Sequence, residues 1–255
     1  MKLEASAAHV PRLIGRFDVD GLHASLETAA AGRRLRDVIL TPGGRAAKLA
    51  LIDRICEWIL ELGRRTQSRP EALNAERERL RTVAAAWSAA GVGSNLVDEL
   101  APIPAVAQHN DLGTWNVVAD GGDFVVVDWE NAREAALPLW DLVYFLGDAF
   151  VLLDGSDAPE QLPARMVRLF AGEAPSSPLL FSWIRRAAEA TAVPPEAVGP
   201  IATLSWLSHS SSIGAHNLDL ADRARDRPRA LGIEGVAASW MAHPALGPRW
   251  SLWRG

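Results

Sequence analysis

The sequence predicts an α+β chain in which a short β-containing segment leads into a mainly helical remainder broken by one β-hairpin. Two strand-like runs, Val10–Gly15 and Leu22–Glu27, flank a turn at Asp18–Gly21 near the start. Apolar residues recur at helical spacing over long windows on both sides of the middle of the chain. Between those windows, Val117–Ala119 and Phe124–Val127 are apolar runs joined by Asp120-Gly121-Gly122-Asp123, a turn whose glycines can take positive φ.

In chain order, Ala29–Leu40 reads as a linker into the helical part. Ala46–Gly63 places Leu49, Ile52, Ile55, Cys56, Ile59 and Leu60 on one helix face, with Gly63 positioned to close the helix. Pro70 opens a second helix running to about Ala90, with Leu73, Leu80, Val83, Ala84 and Trp87 on one side and Gly91 and Gly93 at its end. Pro102 and Pro104 mark an extended approach to the hairpin. Trp140–Leu153 reads as a buried helix carrying Tyr144, Phe145 and Phe150. Pro163–Gly172, Leu179–Thr191 and Glu196–Asn217 are further helices, and the mixed-charge run Asp222–Arg229 reads as a loop. The tryptophan-rich tail, Ile233–Gly255, is expected to pack back as a short helix. The chain thus divides into 1–40, two strands and a hinge, and 41–255, a helical body with the hairpin and its approach at 107–130.

Composition bounds the function. The 255 residues carry a net charge of −5, which disfavours nonspecific nucleic-acid binding. A single cysteine, Cys56, excludes an internal disulfide and suits a reducing cytoplasm. It falls on the apolar helix face, so it reads as a packing residue rather than a reactive thiol. No apolar run approaches the ~20 residues of a spanning helix and no signal-peptide core opens the chain, so neither membrane nor export is expected. Nothing in the pattern speaks to oligomeric state.

The chemistry concentrates in His109-Asn110-Asp111-Leu112-Gly113-Thr114-Trp115-Asn116, followed by Val127-Asp128-Trp129-Glu130. An acid, then an amide, then a second acid beyond a hairpin is the pattern of a phosphoryl-transfer site. Because a hairpin folds its ends together, Asn116 at its start and Asp128 at its end converge on one volume, with Asp111 a short loop upstream. Oxygen ligands so gathered suit a hard cation such as Mg²⁺.

The segment Val106–Asp148 resembles the catalytic core of the aminoglycoside phosphotransferase and choline kinase group, which has a protein-kinase-like fold. The residues that carry the resemblance are His109, Asp111, Asn116 and Asp128, with Pro138-Leu139-Trp140-Asp141-Leu142 downstream. Asn110 stands where that group has Gly, at a position that contributes backbone. Ala136 or Leu137 stands where an acid is usual. The resemblance implies transfer of the γ-phosphate of ATP or GTP to a small-molecule hydroxyl, with Asp111 as base and Asn116 and Asp128 on Mg²⁺. By the same resemblance His109, Glu130 and Asp141 support the site, Asp141 by pinning the loop through backbone hydrogen bonds. The nucleotide base falls to the hinge, Glu27, Thr28, Ala29 and Ala30.

The family's Gly-rich loop and strand lysine have no counterpart: the only lysines are Lys2 and Lys48, and Lys48 lies in a helical run. The β-containing segment therefore reads as a remnant of a small lobe. A fragment of a longer kinase, or a degenerate relative that binds nucleotide or ligand without turnover, is expected ahead of a site rebuilt with Arg12 or Arg16 or completed by a partner chain. The acceptor is expected among the helices of 154–217. Trp206, His209, Ser210, Ser211, Ser212, His216 and Asn217 offer a polar-aromatic wall, and Glu130, Glu134, Asp148, Asp154 and Asp157 are acids for a cationic acceptor.

Overall fold

The computed structural model describes residues 9–93, 95–155, 158, 161–219 and 227–252; for 212–219 and 227–234 the description covers backbone alone. The chain opens with an antiparallel ribbon, β1 (Leu13–Val19) and β2 (Leu22–Glu27). The first strand starts and ends later than its sequence pattern suggests, because Phe17 and Val19 continue the extended run. Within this turn Asp20 and Gly21 take positive φ, as a type I′ hairpin turn needs. Cross-strand pairs Phe17–Ala24, Val19–Leu22 and Gly15–Leu26 give the ribbon one apolar face, and Arg16–Ser25 and Asp18–His23 give it a polar one. The apolar face is bare, with Phe17, Val19, Leu22 and Leu26 each half or more exposed.

Beyond the hinge the chain enters the body. Gly32, at φ 118°, passes so close to the hairpin that a Cβ there would lie 2.1 Å from the Ala119 carbonyl oxygen. That passage lets β3 (Arg33–Arg34) pair with β5 (Val117–Asp120), which pairs in turn with β6 (Asp123–Val126). The hairpin register is Val117–Val126 through Asp120–Asp123, as the two apolar runs require. β4 (Val106–Gln108) pairs with β7 (Arg133–Ala136).

Helices surround these strands: α1 (Leu35–Leu40), α2 (Arg45–Arg65), α3 (Asn74–Ala86), α4 (Trp140–Leu153), α5 (Leu162–Phe170), α6 (Ser177–Ala190), α7 (Pro195–Asp219) and α8 (Arg227–Ala242). Gly63 does not close α2. It sits inside the helix and lets α2 approach Thr191, whose methyl would be 3.4 Å from a Cβ at 63. The run from Pro70 is not one helix but a 3₁₀ turn, Pro70–Leu73, then α3, then another 3₁₀ turn at Ser88–Ala90 ending on Gly91 at φ 83°. Arg227–Arg229 are already helical, so the expected charged loop is shorter than its sequence suggests; residues 222–226 lie outside the described part. The tail does pack back: Trp250 Nε1 donates to the Phe170 carbonyl at 3.0 Å and Trp240 Nε1 to Thr203 Oγ1 at 2.9 Å. Cys56 is buried, and burial raises its thiol pKa well above the ordinary value. Among the described residues no helix is long and apolar enough to cross a membrane.

The centre of the molecule is α4, buried along its whole length from Trp140 to Leu152. A helix apolar on every side belongs in a core, and each fully buried Leu or Phe in it contributes roughly 1.5–3 kcal/mol of transfer free energy. Two carboxylates interrupt it, Asp141 and Asp148, both buried. Seven residues apart, they project from the same face, two turns apart. Acids in such a place must find strong donors.

Candidate active site

The donors are supplied by the loop between β4 and β5. Asp141 takes the His109 N–H on Oδ2 at 2.6 Å and the Asn110 N–H on Oδ1 at 2.8 Å. Its own N–H, one of the unpaired donors at the start of α4, goes to Gln108 Oε1 at 3.0 Å. Burial pushes the Asp141 carboxyl up to about 7, against the pull of those two backbone bonds. Asn110 sits at φ 70°, which explains why its position favours glycine and why asparagine is a tolerated substitute.

Asp148 holds the other end of the loop. Its Oδ2 accepts the Thr114 N–H at 2.8 Å and also the Thr114 hydroxyl, and Thr114 is fully buried. Between the two anchors run Asp111 to Gly113. Trp115 folds back over Gly113 so closely that a Cβ there would lie 2.2 Å from the indole ring. Only glycine fits. Thr114, Gly113 and Trp115 carry no signal at motif level. Asp148 does carry one in retrospect: it is the second acid, two turns on, in an otherwise apolar helix, rather than part of an acidic loop.

This frame gathers the candidate reacting groups. Asn116 Nδ2 donates to the Asp111 carbonyl at 2.9 Å and to Asp111 Oδ2 at 3.3 Å. The Asn116 carbonyl accepts the Val127 N–H at 2.9 Å, which sets the start of β5 beside the residue that precedes Asp128. Asp128 is exposed and left-handed at φ 68°, ending the hairpin strand sharply. His109 is fully buried; its Nε2–H donates to the Val127 carbonyl at 2.9 Å, and burial lowers its pKa, so it is a neutral strut between loop and hairpin. Trp129 packs edge-on against His109 at 4.8 Å and against Trp58 at 6.1 Å. Glu130 is exposed in the 3₁₀ turn that follows.

With Nδ2 engaged, Asn116 has Oδ1 left to offer, and Asp128 has a carboxylate. Among the described residues no three His, Cys, Asp or Glu side chains converge as a metal centre. Two hard oxygen donors without soft ligands fit a magnesium ion that keeps waters and phosphate oxygens in its shell. They would not fit zinc.

At the hinge, Thr28 closes the ribbon: its N–H donates to the Arg12 carbonyl at 2.9 Å and its Oγ1 accepts the Arg12 N–H at 2.9 Å. Glu27 and Ala29 are exposed, and Thr28 and Ala30 half-buried. Lys48 donates to the Ile39 carbonyl at 2.7 Å and to the Thr41 carbonyl, capping the C-terminal end of α1. Both contacts hold its ammonium on the end of α1; Lys2 lies outside the described residues.

Beside the loop, a void of about 10 Å³, room for a single water, is lined mostly by buried side chains. Trp115 comes from the loop itself, Tyr144 and Asp148 from α4, Leu162 and Met166 from α5, Trp206 from α7. The expectation of acids for a cationic acceptor needs correction. Asp148 is bound to Thr114, and Asp154 is bound to Arg45 Nη2 at 2.8 Å and to the Ser176 hydroxyl and N–H at 2.7 and 2.8 Å. Glu130 and Glu134 are exposed, and Asp157 lies outside the described residues. The expected polar wall on α7 is largely core: His209 is buried and stacks on Tyr144 at 3.6 Å, and burial drives its pKa down to about 3. Ser210 is buried and Ser211 accepts from Trp87 Nε1 at 3.1 Å. The side chains of Ser212, His216 and Asn217 lie outside the description.

A sequence model of the phosphotransferase enzyme family matches residues 3–181. No curated protein matches the chain. A solved structure from Ralstonia eutropha JMP134, provisionally named an aminoglycoside phosphotransferase, is similar at a TM-score of 0.58 and 14% identity, over 92% of this chain and 77% of that one. A glucosamine kinase gives a TM-score of 0.45 at 15% identity over 88% of this chain and 66% of that one, too low to support anything further.

Proposed function

The chain belongs to the phosphotransferase enzyme family, and from that premise we propose that it moves the γ-phosphoryl group of ATP or GTP to a hydroxyl of a small molecule. The observation that carries the reading is the double tie of Asn116, by its amide to Asp111 and by its backbone to the residue before Asp128. Catalysis of this reaction is positioning and charge stabilisation more than covalent chemistry, so a rigid loop is the apparatus it requires.

Asp111 would accept the proton of the attacking hydroxyl. Asn116 Oδ1 and Asp128 would hold magnesium, which when bound with nucleotide neutralises charge on the phosphates. His109 keeps the loop on the hairpin, and Asp141 fixes its first turn. Glu130 stands at the rim, in reach of solvent-side ligands. The hinge residues Glu27, Thr28, Ala29 and Ala30 would meet the base through backbone groups, with the Thr28 N–H already engaged by Arg12. A cytoplasmic setting suits the single, buried Cys56.

Asp111→Ala tests the assignment. We expect ADP release in the presence of an alcohol panel to fall at least a thousandfold, while the stabilisation by Mg·ATP in a thermal-shift titration persists. An unchanged rate removes Asp111 from the mechanism. A second reading, a nucleotide-binding relative without turnover, is favoured by the engagement of Lys48 at the end of α1. Stabilisation by Mg·ATP without consumption across the panel would decide for it.

A further inference from the structure

Resting on the phosphotransferase reading, we infer that Trp115 is a positioning residue for the reaction: its indole, packed on Gly113 and on Tyr144, holds Asp111 and Asn116 in register. The stretch between those two residues is folded by its own backbone. The Gly113 N–H donates to the Asp111 carbonyl at 2.9 Å, and the Asn116 N–H donates to the Gly113 carbonyl at 3.0 Å. The Asp111 carbonyl also takes Asn116 Nδ2. Gly113 is thus the shared corner of two tight turns. Whatever fixes that corner fixes the proposed base relative to the proposed magnesium ligand.

The ring fixes it. A Cβ at Gly113 would lie 2.2, 2.3 and 2.4 Å from Cη2, Cζ3 and Cζ2 of Trp115, the outer edge of the indole. Gly113 does not have the positive φ that would call for glycine on conformational grounds. The demand for glycine comes from the ring.

The same indole meets Tyr144 edge to face at 5.7 Å and 85°. Tyr144 does not yield, because it is buried, stacked on His209 at 3.6 Å and packed against Trp206 at 5.8 Å. The void beside these rings, about 10 Å³, has room for one water and none for a displaced indole. Thr114 is held separately, by Asp148 at its N–H and hydroxyl and by the Arg36 N–H on its carbonyl at 3.2 Å. Those bonds anchor the loop to α4 and α1, whereas the ring sets its internal shape.

The test is a double-mutant cycle on the full chain with G113A, W115A and the two combined. ADP release with an alcohol panel gives kcat, and calorimetry gives Tm. Each single change should lower kcat on the order of a hundredfold with KM for ATP within about twofold, W115A by freeing the corner and G113A by driving a methyl against the ring. G113A/W115A should be no slower than W115A, since the methyl then meets no ring. W115F keeps a shorter ring on Tyr144, so it should recover roughly tenfold of the lost kcat and should accept G113A; that pair carries the test if W115A does not fold. The Mg²⁺ dependence of ATP binding, from thermal-shift titration, is a readout without turnover. In the parent, Mg·ATP should bind roughly tenfold or more tighter than ATP in EDTA, and W115A should lose most of that gain with its affinity in EDTA unchanged. Losses of kcat that multiply in G113A/W115A overturn the inference. So does a W115A kcat equal to the parent's at a lower Tm, which would leave Trp115 as packing alone. Where Mg²⁺ tightens ATP binding without ADP release, survival of that gain in W115A overturns it. A parent that neither releases ADP nor gains affinity from Mg²⁺ sinks the phosphotransferase reading itself, and the positioning role with it.

Discussion

Replacing Asp148 with alanine should do more harm than any substitution of an exposed site residue. The change removes the single oxygen that accepts both the N–H and the hydroxyl of Thr114. Thr114 is fully buried, so both of its donors depend on that one oxygen. Each stranded buried donor costs roughly 1–3 kcal/mol. Against that stands the relief of no longer burying a carboxylate, which leaves about 2–4 kcal/mol net. For a chain of this size roughly 2–4 °C of Tm accompanies each kcal/mol, so calorimetry should show a fall of about 4–16 °C. The loop between the anchors carries Asp111, and a displacement of about 1 Å there would lower kcat on the order of a hundredfold. KM for nucleotide, which we propose is set at the hinge, should move little. D148N keeps one acceptor oxygen and should lose about half as much stability; T114V removes the hydroxyl alone and should cost about 1 kcal/mol. A D148A protein with Tm within 2 °C of the parent would refute the energetic argument. A lower Tm with kcat per folded molecule unchanged would show that Asp148 stabilises without positioning.

Three further outcomes follow from the same physics. Asn110, at φ 70°, should accept N110G with no loss of Tm, whereas N110A should cost about 1–2 kcal/mol for an alanine in the left-handed region, and equal Tm values would contradict it. His209 has a folded pKa near 3, below its unfolded value of 6.5, so the unfolded state takes up the proton first as pH falls. Its contribution is intact above about pH 6.5 and is lost at roughly 1.4 kcal/mol per pH unit below it, so H209F should flatten the urea-derived stability curve between pH 6.5 and 4.5, and parallel curves would dismiss the idea. K48M removes the cap of α1 and should lower Tm by a few degrees while leaving the KM for ATP unchanged; a large rise in that KM would return Lys48 to the phosphates.

Much of the fold was legible because it is local. The β5–β6 hairpin follows from two valine-rich runs around Gly121 and Gly122, and α4 from an apolar stretch broken by two acids. The convergence of Asn116 with the end of β6 needed only a turn to be recognised. What was not legible depends on partners far along the chain. Gly63 looks like a helix stop until Thr191 is seen against it. Asp154 looks like a free acid until Arg45, 109 positions away, is found on it. Asp148 reads as one more acid for a cationic acceptor until Thr114, 34 positions earlier, is found on it. Periodicity reports which way a side chain points, not what waits there.

The β1–β2 ribbon has a consequence for how nucleotide would be held. A lone two-stranded hairpin is marginal in water, and this one offers its oily side to solvent, so it should breathe independently of the body. Deuterium ought to enter its amides, and a protease ought to nick the Asp20-Gly21 tip, long before α4 opens. The hinge hangs from that restless ribbon. Any purine that docks there must first still it, and its apparent affinity is diluted by the fraction of time the ribbon is out of place.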